Sequence, residues 1–302
     1  AGGGHLIRAD GSPKMSMICN VTGAIINTIL DALFVFGFGW GMAGAAWATV
    51  TGQYISVMLV IRYLSHCKTV DLKPKHLKPA AGYMKKDVTL GAAACSNQLA
   101  MMVVQLVMNK SLTYYGALSS YGQEIPLACA GIITKVNQVF FSIIIGISQG
   151  LQPIVSYNYG AKQYDRVKKG YLLAAKSGLM ISVIAFLIFQ IFPRQIIAIF
   201  GNGSEEYIRF AVSYFRIFLF FTFLNFIQPI TSNSFTAIGK PGLGMFLSLT
   251  RQILFLLPLI VILPFFIGID GILFAGPIAD GLAGAVAVFL MYRELKRPEY
   301  QV

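Results

Sequence analysis

Residues 15–38, Met-Ser-Met-Ile-Cys-Asn-Val-Thr-Gly-Ala-Ile-Ile-Asn-Thr-Ile-Leu-Asp-Ala-Leu-Phe-Val-Phe-Gly-Phe, decide the fold. A helix needs about 20 mostly apolar residues to cross a bilayer, and this run has them. It carries one charge, Asp31. A carboxylate at that depth costs about 2.5–3.5 kcal/mol on insertion scales, so an intramembrane ionisable residue marks a functional candidate. Asn27 lies one helical turn before it, on the same face. The turn Gly37-Phe38-Gly39-Trp40-Gly41 follows, and a second apolar run carries Thr49 about as far beyond the turn as Asp31 lies before it. A helical hairpin should bring these residues level, so that Asn27, Asp31 and Thr49 surround one proton or one Na⁺. The alternative is structural: Asp31 hydrogen-bonds Thr49 and pins the two helices.

Working outward, the rest of the chain has the same character. Hydrophobic residues make up 56% and charged residues 12%, with a mean hydropathy of +0.68. Soluble domains carry about 25% charge, so the composition is that of an all-α polytopic membrane protein. Eight spans are expected, at 16–37, 42–64, 88–113, 125–148, 170–193, 207–231, 242–267 and 271–292. The net charge of +12 collects in alternate connections (Lys68 to Lys86, Lys162 to Lys169, Lys240, and the tail from Arg293), while the intervening ones are poor in Lys and Arg. That pattern argues for cytoplasmic loops and against nucleic-acid binding. It places both ends of this chain in the cytoplasm. Cys19, Cys67, Cys95 and Cys129 are scattered, and His5, His66 and His76 lie outside the spans, so neither disulfide nor zinc chemistry is indicated. The spans hold no Ser/His/Asp set and no phosphate loop, which disfavours a membrane enzyme.

The organisation expected is residues 1–66 as one helical pair, 67–87 as a Lys- and Pro-bearing cytoplasmic linker, and 88–302 as a six-helix unit. An internal repeat supports it. Gly11-Ser12-Pro13 opens the first pair of spans and Gly239-Lys240-Pro241 the last, about 228 residues apart. Six-helix repeats at that spacing would begin about 140 residues before residue 1, and the chain, which opens Ala-Gly-Gly-Gly-His, reads as a stretch of something longer. At Gly146–Lys169 a span is expected to end among small residues, with Pro153 interrupting it as an elbow or a hinge. Further embedded charges are Asp280, Lys135, Arg216 and Arg251, expected as a second cluster with Asp280 as counter-ion. Gln98, Gln105, Asn109 and Asn137 are candidate cleft residues.

Several spaced segments share a family likeness: Ile7 to Lys14, the Asn27 and Asp31 pair in its Leu-Asp-Ala-Leu-Phe setting, Gly44 to Thr49, and Gly150 to Ile154 leading to Asn158 to Lys162. Together they resemble the multidrug and toxic compound extrusion (MATE) transporters along essentially the whole chain. The resemblance implies twelve helices in two six-helix lobes around a cleft, with these spans as helices five to twelve. It implies a monomeric antiporter that exports small organic and often cationic molecules in exchange for H⁺ or Na⁺ across the cell membrane, with no other cofactor. In the DinF-like branch, the ion site uses an Asn and an Asp on helix five and a Thr on helix six, which match Asn27, Asp31 and Thr49. Spans 88–113 and 207–231 lack interior carboxylates used elsewhere in the family, which points to that branch. The embedded cations Lys135, Arg216 and Arg251 fit an anionic cargo better, and so keep open a lipid-linked saccharide flippase of the same superfamily. A chain without transport activity of its own is the remaining alternative.

Overall fold

The computed structural model describes residues 2–66, 81–201 and 204–296. Among these the chain is helical throughout, without a strand. It divides into two compact units, Ala1–Met84 and Lys85–Val302. The basic stretch 68–80 of the expected linker lies outside the described residues.

In the first unit a short helix, α1 (Gly2–Ala9), leads through a tight turn into α2 (Pro13–Ala32). A π-helical run, Leu33–Gly37, closes the end of α2, and α3 (Gly41–Leu64) returns. Small residues explain why α2 and α3 lie so close. Gly44, Ala48 and Gly52 recur every fourth residue on the buried face of α3. A Cβ added at Gly52 would stand 2.7 Å from the Gly23 carbonyl oxygen, and one at Gly44 would stand 2.9 Å from that of Phe34. In lipid such small-residue seams replace the hydrophobic effect by allowing close backbone packing. Ser56 adds polar glue, its hydroxyl donating to the Cys19 carbonyl at 3.0 Å.

The second unit contains all but the first turn of α4 (Ala81–Ala117), then α5 (Glu124–Gly160), α6 (Tyr164–Ile191), the short α7 (Pro193–Phe200) and α8 (Glu205–Phe218). A 3-10 turn, Thr222–Leu224, and α9 (Ile227–Ala237) follow. Then come α10 (Pro241–Leu249), a π-helical run Thr250–Leu256, α11 (Leu257–Ile267) and α12 (Asp270–Leu295). Seven helical stretches among the described residues are long and apolar enough to cross a membrane. Helix α4 covers the expected span 88–113 and carries Asn97, Gln98, Gln105, Asn109 and Lys110 along it. Two cores hold the unit. One joins Leu112, Ile133, Phe189, Phe210, Tyr214, Phe215, Ile260 and Ile272; the other joins Leu151, Val155, Ile230, Phe235, Leu247 and Met291.

The repeat seen in the sequence is visible in the backbone. Gly11 and Gly239 both adopt positive φ, at 77° and 79°. The Ser12 amide donates to the Ile7 carbonyl, and the Lys240 amide donates to the Phe235 carbonyl. Each turn closes one helix and starts the next on a proline, Pro13 or Pro241, which needs no amide partner there.

Two expected spans are present but depart from uniform α-helix, and one expectation needs correction. The span at 207–231 is not one helix: it breaks between Phe218 and Ile227. Pro229 lies just beyond, and its ring excludes a helical bond to the carbonyl four residues earlier. The span at 242–267 is continuous but widens to π geometry over 250–256, just ahead of Pro258. Pro153, in contrast, interrupts nothing. Helix α5 runs through it to Gly160, anchored on either side by buried Leu151 and Val155. The direction change comes instead at Ala161–Gln163, where Lys162 takes a φ of 58°.

Candidate functional site

The α2–α3 seam sets the first site. Asn27 Nδ2 donates to Thr49 Oγ1 at 3.4 Å, and Thr49 Oγ1 in turn donates to the Ala45 carbonyl at 2.9 Å. Thr49 is therefore level with Asn27 rather than with Asp31, because the π-helical run inserts extra backbone into the turn. Asp31 does not bond Thr49. Its Oδ1 is buried, and among the described residues it has no hydrogen-bond partner. A buried polar atom left unpaired is uncommon and costs about 1–3 kcal/mol, more if charged. The carboxylate oxygen, the Asn27 amide oxygen and the Thr49 hydroxyl are hard oxygen donors. They suit a proton or a small hard cation such as Na⁺.

The second group of embedded charges is smaller than expected. Arg251 Nε donates to Asp280 Oδ1 at 2.5 Å, with the Asp280 side chain 5% exposed. Asn225 also hydrogen-bonds Asp280. Lys135 and Arg216 do not join them. Both side chains are exposed, and among the described residues neither forms an ion pair. The Arg216 carbonyl accepts a bond from Gln190 Nε2 at 2.9 Å. Of the candidate cleft residues, Gln98 and Gln105 are exposed on α4, and Gln105 donates to Asn109 at 2.9 Å. Asn137 is half-buried and lines a small cavity with Phe140, Ser182, Thr222 and Asn225. A second cavity, of about 10 Å³, is lined by Asn225, Gln228, Arg251, Asp280, Phe141 and Leu224 and has room for one water.

Asn225, Gln228 and Thr222 were not singled out by sequence reasoning. The signal that could have found them is Pro229, which forces the break that presents them. The Lys240–Glu294 ion pair, buried on the Glu294 side, also went unread; it ties the start of α10 to the end of α12.

These features define a multi-pass helical membrane protein with isolated polar groups inside its spans. The family model described as MatE matches residues 93–262, and the chain belongs to that family. Among relatives, it is 26% identical over 288 residues to the multidrug export protein MepA of Staphylococcus haemolyticus (strain JCSC1435), covering 94% of this chain and 61% of that protein. It is 24% identical to the protein of the same name from Staphylococcus aureus (strain MSSA476), with the same coverage. The chain thus spans 61% of the length of the curated relatives it matches. Among solved structures, a MOP superfamily transporter from Pyrococcus furiosus superposes with a TM-score of 0.87 at 20% identity, covering 97% of this chain and 65% of that one. A MATE protein in the straight conformation gives 0.88 at 21% identity, covering 99% and 66%. At these identities the structural likeness establishes the fold.

Proposed function

We propose that the chain works as part of a secondary active antiporter that exports small organic molecules in exchange for H⁺ or Na⁺. Asp31 is the coupling group, and Asn27 and Thr49 are its neutral partners. The observation that carries this reading is the buried Asp31 Oδ1, left without a hydrogen bond beside the Asn27–Thr49 pair. Gain or loss of a proton there, or arrival of Na⁺, changes the charge inside the helical pair. A differential affinity of that ion for two arrangements shifts the population between them, which alternating access requires. The family and the MepA relatives support multidrug export as the activity. The cell membrane, with the basic connections in the cytoplasm, is the setting that the loop charges favour.

The test is ethidium accumulation in cells expressing the full-length gene product or its Asp31→Asn variant, with membrane levels of both matched. Lower dye with the parent and not with the variant supports the reading. Equal efflux by both, with unchanged dependence on pH and Na⁺, removes Asp31 from the mechanism.

A further inference from the structure

We propose that Asp280 and Arg251 form a proton-sensitive lock at the seam of the last helical pair, with Asp280 as the group that takes the proton. The internal repeat locates it. At the repeat spacing of about 228 residues, Arg251 corresponds to Gly23 and Asp280 to Gly52. In the first helical pair these glycines are where the two helices touch, backbone on backbone. In the last pair the same two positions carry a guanidinium and a carboxylate, joined at 2.5 Å. A bare seam in one copy is a charged seam in the other.

The surroundings suit a lock that can open. Arg251 lies in the π-helical run 250–256, and Asn225 lies in the break between α8 and α9. Asp280 is held on regular helix α12, but the Arg251 side and the neighbouring Asn225 segment are not regular α-helix, and π insertions and broken spans are where helices adjust. The cavity beside the pair has room for one water between Asn225 and Gln228, which gives a proton a polar neighbour.

No competing charge lines that cavity. Its other walls are Phe141, Leu224, Ala283 and Gly284. From α8, Tyr214 reaches α12 through Phe218, whose ring covers Gly276. The other charged groups on α12 are exposed Asp270 and Arg293 near its two ends and Glu294, which is paired with Lys240 about 20 Å along the helix from Asp280. Arg251 is therefore the charge that Asp280 answers to.

With Asp280 ionised, the pair holds the π run against α12. A proton added to the carboxylate neutralises it, so the charge-assisted Arg251 bond becomes a weaker bond to a neutral carboxyl and the guanidinium loses its counter-ion. A guanidinium left alone among apolar helices is strongly unfavourable, so Arg251 turns to water and the seam loosens. The inference rests on the chain belonging to a transporter, but its test needs no transport, so Asp31 and Asp280 stand or fall separately.

The reporter is a disulfide. A Cβ at Gly284 stands 3.9 Å from Leu224 Cβ, the separation a disulfide spans. In membrane vesicles, with Cys19, Cys67, Cys95 and Cys129 replaced by alanine, Leu224→Cys and Gly284→Cys are oxidised at a series of pH values. The rate is divided by that of the same pair carrying Asp280→Asn, which cancels the pH dependence of the thiols. The expected ratio is at least about tenfold at the alkaline end and falls to one on acidification, as one titrating carboxyl would give. Asp280→Glu, which keeps a titratable group, should retain the pH-dependent ratio, which separates titration from misfolding. A ratio that is constant with pH, or Asp280→Glu behaving as Asp280→Asn does, overturns the proposal.

Discussion

Gly52→Ala is the sharpest probe of the first site, because it alters no polar group. The added Cβ would stand 2.7 Å from the Gly23 carbonyl oxygen and 2.9 Å from Asn27 Cβ. Both belong to α2 and neither is a flexible side-chain tip, so α2 and α3 must separate. Restoring ordinary contact at about 3.5 Å requires a shift of roughly 0.6–0.8 Å. The Asn27–Thr49 bond, already 3.4 Å, then lengthens to about 4 Å and is lost. Overpacking of this kind costs about 1–3 kcal/mol, and the lost interhelical bond adds about 0.6 kcal/mol. Unfolding of the purified chain by SDS in mixed micelles should therefore shift to lower SDS, and any shift that Na⁺ or low pH produces in the parent should shrink. Gly131→Ala is the control, since no heavy atom lies within 4 Å of its added Cβ. If Gly52→Ala unfolds as the parent does and keeps the full ion response, the seam does not position the site.

Other expectations follow from single contacts. Thr49→Ser keeps the hydroxyl that meets Asn27 and should retain ion-dependent protection against unfolding, whereas Thr49→Val should lose most of it. Arg251→Gln should destabilise the chain by about 3–5 kcal/mol by leaving the buried Asp280 carboxylate without its counter-ion, and adding Asp280→Asn should recover most of that loss in the same unfolding assay. Tyr171→Phe leaves the buried Thr231 hydroxyl without its 2.9 Å partner and should cost about 1–3 kcal/mol, with Tyr171→Phe plus Thr231→Val closer to neutral.

Much of this was written in the sequence, for physical reasons that can be named. A bilayer demands long apolar helices, so the spans could be read from hydropathy alone, and the glycine-proline openings of the two repeated pairs became matching turns at Gly11 and Gly239. Asp31 stood out because charge is rare at that depth. The breaks did not stand out, since a window average over 207–231 smooths the local effect of Pro229. The register at Thr49 was misjudged because counting residues from a turn assumes uniform helix, and the π-helical run Leu33–Gly37 is not uniform. Pairing among embedded charges is a tertiary property. Four mid-span charges look alike in sequence, yet Arg251 meets Asp280 across two helices while Lys135 and Arg216 remain exposed.

The central claim is that Asp31 couples an ion to transport. The direct measurement is exchange in proteoliposomes containing the full-length gene product, in which a pH or Na⁺ gradient drives efflux of a loaded dye while ion movement is recorded. The account predicts that the parent moves dye and ion together, and that Asp31→Asn, inserted at equal levels, still binds dye but moves neither in response to the gradient. Gradient-driven exchange by Asp31→Asn at the parent's rate would contradict it.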